Sequence, residues 1–207
     1  MPHINKIIKQ TDNRYVNLYF LEAESKSGRV VHYSMASRSK SIDELKLRTR
    51  KNKEDGVSVY AVYGKERDRV VLVRQYRYSI DDYIYEMPAG LCEPGEEFHD
   101  AAVREMHEET GLTFTPLKAD RMFEEPRFTT IGMTDESVAT VFGYAEGEVS
   151  TRFQEDAEEI RVVLADKEEV RRILREEKVS MQCAYQLMHF LYEETPFGFL
   201  GETDRQA

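Results

Sequence analysis

The chain has 207 residues, of which 41% are hydrophobic and 33% charged, and a formal net charge of −10. This length accommodates one good core, or a core with a small appended sheet, and the acidic balance argues against nucleic-acid binding as the main activity. The longest apolar runs, Val57–Tyr63 and Val70–Val73, are too short to cross a bilayer, the N-terminus does not read as a signal peptide, and Cys92 and Cys183 form neither a disulfide framework nor a zinc spacing, so a cytoplasmic protein with no membrane partner is expected.

In chain order, Tyr15–Ala23 and Arg29–Met35 read as strands divided by a turn at residues 24–28. A charged stretch, Arg38–Gly56, follows as a solvated connector. Val57–Tyr63 and Arg69–Gln75 form a hairpin around Gly64–Asp68, and Tyr83–Met87 is a further strand. Phe98–Thr110 reads as a helix of good helix formers, with Gly111 where a left-handed C-terminal cap is wanted. Arg121–Glu125, Ser137–Tyr144 and Glu159–Leu164 read as strands. Asp166 caps a helix with Val170, Ile173 and Leu174 on one face. Ser180 caps the last helix, with Ala184, Leu187, Met188 and Leu191 turned inward. Strands flanked by helices imply an α/β fold.

The chemistry concentrates between Gly90 and Leu112. At about 100° per residue, Glu105, Glu108 and Glu109 share one narrow helix face. At about 6 Å and an effective dielectric near 20, each carboxylate pair would repel by about 3 kcal/mol. A buried trio therefore calls for a cation, and oxygen-only ligands favour a hard one, Mg2+ or Mn2+. No serine-nucleophile elbow and no zinc-protease motif compete with this reading.

Gly90, Glu96, Arg104, Glu105, Met106, Glu108, Glu109, Gly111 and Leu112 fill every fixed position of G-x5-E-x7-R-E-U-x-E-E-x-G-U, with U apolar. Over this stretch the chain resembles the Nudix hydrolases. The resemblance implies an α/β/α sandwich with a mixed sheet and metal-dependent cleavage of a diphosphate by water. It implies metal ligands at Glu105, Glu108, Glu109 and the Ala89 carbonyl. Gly90, Glu96, Arg104 and Gly111 take structural roles, Glu96 and Arg104 bracing the loop against the helix.

Outside the box, Val71–Arg77 and Tyr85–Gly90 resemble the strand signatures of the ADP-ribose and nucleoside-diphosphate-sugar pyrophosphatases. That branch implies a small N-terminal antiparallel sheet over residues 1–56, serving dimerisation and base recognition, ahead of a hydrolase domain over 57–207. It also implies a homodimer. Arg77 would reach substrate phosphates, Tyr15 and Tyr33 would stack on the base, and Arg38 would contact phosphate across the subunit boundary. Glu136, in the loop that follows the box, is the candidate general base, with Asp135 in reserve. Where many relatives carry Ser-Pro-Gly, this chain has Thr130, Ile131 and Gly132. The expected reaction converts ADP-ribose or a related nucleoside-diphosphate sugar to a nucleoside monophosphate and a sugar phosphate. GDP-mannose, UDP-glucose or a dinucleoside polyphosphate are alternative substrates, and a non-catalytic ligand sensor is the alternative of another class.

Overall fold

A computed structural model describes residues 1–154 and 159–201. Its elements in order are β1 (His3–Lys9), β2 (Asn17–Glu24), β3 (Val30–Ser37), α1 (Lys46–Thr49), β4 (Gly56–Tyr63), β5 (Arg69–Arg77), β6 (Asp82–Glu86) and β7 (Ala89–Leu91). There follow α2 (Phe98–Thr110), β8 (Thr113–Pro116), α3 (Arg121–Glu124), β9 (Arg127–Phe128), β10 (Ser137–Glu146), β11 (Ile160–Ala165), α4 (Lys167–Glu176) and α5 (Met181–Tyr192). The chain divides into two compact units. The first is Met1–Asp55 with Pro126–Val138, and the second is Gly56–Glu125 with the described residues from Ala139 onward.

In the first unit β1, β2 and β3 form an antiparallel sheet. Alternation along β2 turns Asn17, Tyr19 and Leu21 inward and leaves Leu18 outward. The inner face closes on Leu45, which stands just before α1 and is fully buried. Part of the presumed connector is therefore ordered: Leu45 anchors the single turn of α1, and Arg50 ends it in the left-handed region at φ 58°. Lys46 Nζ then ties Asp55 (2.6 Å) and the Ser137 hydroxyl together. β1 is not anticipated from the sequence, because of its seven residues only Ile7 is buried. Pairing with β2, rather than an apolar pattern of its own, makes it a strand.

The second unit carries a sheet in the order β11-β5-β4-β10-β8, with β6 on β5 and β7 on β4. Asp55 N–H donates to Ser137 O at one end of the β4–β10 pair and Gly64 N–H to Ala145 O at the other, so these strands run parallel. The remaining pairings are antiparallel, and the sheet is mixed. Val57, Val59 and Ala61 face one core with Ala102 and Met106 of α2. Tyr60 and Val62 face the other with Val170, Ile173, Leu187 and Phe190 of α4 and α5. Burial on both faces is why β4 reads as an apolar run broken only by the buried Ser58. The architecture is the α/β/α arrangement, accompanied by the small antiparallel sheet. Among the described residues no helix is long and apolar enough to cross a membrane.

Several local expectations need correction. Arg121–Glu125 is not a strand. Asp120 accepts from Met122 N–H at 2.9 Å and starts α3, and Arg121 pairs with Glu125 one turn on. Met188 is not inward: it is 46% exposed, while Cys183, Leu187 and Phe190 form the buried stripe of α5. Ser180 stands at the N-cap position of α5 but its hydroxyl makes no cap hydrogen bond, whereas Asp166 accepts from the N–H groups of both Glu168 and Glu169. The short strands β7, β8 and β9 have no sequence signal of their own and exist by pairing with β4 and β10.

Candidate active site

The second unit holds every residue of the box. Glu97 caps α2 by accepting from His99 N–H, and Gly111 ends it at φ 74° with its N–H on His107 O. A Cβ on Gly111 would also overlap Ser150, so both backbone sign and space require glycine there. Between these ends, α2 lies against β7 and β4.

Arg104 organises the face. Its Nε and Nη2 take the two oxygens of Glu96 at 2.9 and 3.0 Å, and Nη2 also donates to Leu91 O at 3.0 Å. This bidentate bond depresses the Glu96 carboxyl below its usual pKa and raises that of the arginine. Glu96 in turn accepts from Glu93 N–H at 2.8 Å, which pins the loop ahead of α2. The remaining nitrogen, Nη1, lies between Glu105 Oε1 (2.8 Å) and Glu108 Oε2 (2.9 Å). That contact is additional to the bracing role expected of Arg104, and it follows from helix spacing, since Glu108 is one turn beyond.

The three face carboxylates differ in environment. The Glu109 residue is 3% exposed and accepts from Ala89 N–H at 3.2 Å. The Glu105 side chain is mostly buried, and that of Glu108 is about half exposed. A Cβ built on Gly90 would overlap the Glu105 carboxylate, and one on Gly56 would overlap the Gly90 carbonyl. Gly90 thus lets β7 approach the acidic face, and Gly56 lets β4 lie close against β7. Gly56 was missed in the sequence; its signal was a glycine at the start of a strand, a mark of close backbone approach. Gln154 was missed too. Its amide donates to Glu109 O at 2.7 Å and holds the end of the helix.

The donor set is all oxygen: three carboxylates with the Ala89 backbone beside them. Glu96, Glu105 and Glu108 share one guanidinium, so the loop and helix keep an excess of negative charge. These residues fit a hard divalent cation in charge and in donor type. As arranged here, Arg104 bridges two of them, and among the described residues no three acidic, histidine or cysteine side chains stand as a metal cluster.

Arg77, at the end of β5, forms an ion pair with Glu86 at 2.6 Å. The other expected site residues lie in the first unit. Arg38 Nε and Nη2 both reach Glu136 Oε1, at 2.8 and 2.7 Å, and the Thr129 hydroxyl donates to Glu136 Oε2 at 3.1 Å. Both oxygens of the candidate base are therefore engaged within one chain. The Tyr33 hydroxyl donates to Gly132 O in the same loop. Tyr15 is 61% exposed, with the Arg14 guanidinium 5.3 Å from its ring centroid. The structure brings Arg38, Glu136 and the Tyr33-bound loop together in one unit, and Ala89, Glu105, Glu108 and Glu109 together in the other.

Comparison with known proteins identifies the family to which the box belongs. The model of the NUDIX domain matches residues 52–183. The ADP-sugar pyrophosphatase of Mus musculus is 44% identical over 72 residues, which are 33% of this chain and 33% of that protein. The ADP-ribose pyrophosphatase of Saccharomyces cerevisiae is 36% identical over 80 residues, 36% of this chain and 34% of its own. That of Bacillus subtilis is 38% identical over 82 residues, 40% of this chain and 41% of its own. The chain thus spans less than half the length of these relatives. A crystal structure of an ADP compounds hydrolase superposes with a TM-score of 0.60 at 18% identity, covering 90% of both chains, which shows a shared fold. With the family model matched over more than half its length and the box complete, the chain belongs to the Nudix family.

Proposed function

We propose that this Nudix protein hydrolyses the diphosphate linkage of ADP-ribose or a related nucleoside-diphosphate sugar, releasing a nucleoside monophosphate and a sugar phosphate. The observation that carries the reading is the buried Glu109 and the mostly buried Glu105, set against the backbone at Ala89 and Gly90. Arg104 already offsets Glu105, and acids set so closely with so little exposure are stabilised further by a cation. Glu105, Glu108, Glu109 and the Ala89 carbonyl would hold Mg2+ or Mn2+. When bound, such an ion neutralises phosphate charge and lowers the pKa of an attacking water.

The protein's own groups then divide the remaining work. Arg104 and Glu96 keep the loop and helix in register. Arg77, on an exposed ion pair with Glu86, is available to exchange its carboxylate for a phosphate oxygen. Glu136 is the proposed base. It must first give up Arg38, whose preference for an anionic phosphate offers the exchange partner. Tyr15 and Tyr33 are exposed and suited to stacking on a base. Exposed Ile8 and Leu18 on the outer face of the three-stranded sheet support a homodimer, and a cytoplasmic location completes the reading.

A panel of ADP-ribose, ADP-glucose, GDP-mannose, UDP-glucose and a dinucleoside polyphosphate at matched concentrations tests the substrate. Highest kcat/KM for ADP-ribose is expected. Tight binding across the panel with no turnover would favour a ligand sensor instead.

A further inference from the structure

Helix α5 carries two apolar stripes on opposite sides. Cys183, Leu187 and Phe190 point into the core shared with α4 and the sheet. Met181, Tyr185, Met188 and Tyr192 point the other way and are 69%, 68%, 46% and 85% exposed. They are the only exposed residues of the helix. A helix that is apolar all round is normally buried on every side. The polar residues of α5 do not relieve this, because they are half-buried and partnered within the chain. Gln182 donates to the Thr140 hydroxyl at 3.2 Å, and His189 Nδ1 meets the Tyr60 hydroxyl at 3.3 Å. No Asp, Glu, Lys or Arg occurs in α5, although the chain has a net charge of −10.

The spacing of the outer stripe says what covers it. Its steps of 4, 3 and 4 residues are those of a coiled-coil seam, and they are the same in either direction along the helix. Its order, Met-Tyr-Met-Tyr, reversed is Tyr-Met-Tyr-Met. Two copies of α5 laid antiparallel about a twofold axis therefore set every methionine against a tyrosine ring, a favourable sulfur–aromatic contact. Two acidic chains can meet there without opposing charges, because the face has none. Residues 202–207 hold no apolar side chain larger than alanine to cover it instead. We propose that α5 is a second self-association surface, with Met181 against the partner's Tyr192 and Tyr185 against the partner's Met188. The contact would bury roughly 1,000 Å² in total, the lower end for a specific interface, so it forms reversibly as protein concentration rises. It is separate from the sheet contact through Leu18, since α5 belongs to the second unit.

The test is sedimentation of the full chain over a range of protein concentrations. The Leu18→Lys chain, which lacks the sheet contact, should double in mass from monomer to dimer as concentration rises. Adding Met188→Lys should hold it a monomer throughout, with the circular dichroism and melting of the parent, because the substituted side chain is exposed. Tyr185→Ser should have the same effect without adding charge. Cross-linking then tests the pairing. With the half-exposed Cys92 replaced by serine, Tyr185→Cys and Met188→Cys proteins are mixed under mild oxidation. Disulfides between the two proteins should form at least about threefold faster than within either alone, because antiparallel pairing puts those positions within disulfide reach. A Leu18→Lys chain whose mass never doubles overturns the proposal. So does doubling that survives both Met188→Lys and Tyr185→Ser, or mixed cross-linking no faster than self cross-linking. If the sheet contact is absent, the parent itself starts as a monomer and its doubling through α5 is still read, so the two assembly readings fail separately.

Discussion

At the scale of single residues, the acidic face shows how far spacing alone can be trusted. Glu105, Glu108 and Glu109 share the face that a 100° periodicity gives them, and Glu96 meets Arg104 across the loop. The spacing could not give their unequal burial. That depends on how closely the strand carrying Ala89 and Gly90 approaches, a matter of tertiary packing. Gly90→Ala tests the approach. The added methyl overlaps the Glu105 carboxylate, so a fall in kcat and a destabilisation of about 1–3 kcal/mol are expected by enzyme assay and thermal melting. A variant as stable and active as the parent would mean that the carboxylate is free to move aside.

His99 gives a pH signature of the same helix. Burial disfavours its charge, but hydrogen bonds to Glu124 (2.8 Å) and Glu97 (3.0 Å) outweigh burial and raise its pKa above the usual value of 6.5. The contribution of this contact is therefore complete below the unfolded pKa and is lost as pH rises through the folded one. Urea melts of the parent and of His99→Gln should differ most below pH 6.5 and converge at higher pH. A difference that instead grew with pH would contradict the charged-histidine assignment.

At the scale of elements, long and strongly patterned segments were readable, and those that depend on neighbours were not. The helix over Phe98–Thr110 has the bounds read from its composition and its terminal glycine. β4 and β5 announce themselves by apolar runs. β1, β7, β8 and β9 are strands because another strand lies beside them, which no local pattern records. The segment after Asp120 was misread because Met122 and Phe123 suggest a strand, while the cap at Asp120 and the pair between Arg121 and Glu125 favour a helical turn. Caps can be told apart by substitution. Asp166→Ala removes two hydrogen bonds and should cost about 1 kcal/mol, whereas Ser180→Ala removes none and should be near neutral. Equal losses would show that the Ser180 hydroxyl caps its helix in solution.

At the scale of the molecule, the two compact units are set by contacts between residues distant in sequence. The chain changes unit at Gly56, where the connector ends. The return of Pro126–Val138 to the first unit joins residues far apart in sequence and leaves no compositional trace. Loop 130–134 is held there by backbone bonds, Ala36 N–H donating to Met133 O and Thr134 N–H to Thr130 O. Assembly is tested at this scale. Leu18→Lys on the outer face of the sheet should shift a sedimenting dimer toward monomer with the fold retained. A monomeric parent would remove that part of the reading.

The most direct measurement concerns the cation. Release of AMP from ADP-ribose should require Mg2+ or Mn2+ and stop in EDTA. Glu109→Gln should lower kcat by about a hundredfold or more, the scale of losing one preorganised charged group. Calorimetry should show that divalent binding weakens in the same variant. Undiminished hydrolysis in EDTA, or a Glu109→Gln protein as active as the parent, would contradict the account.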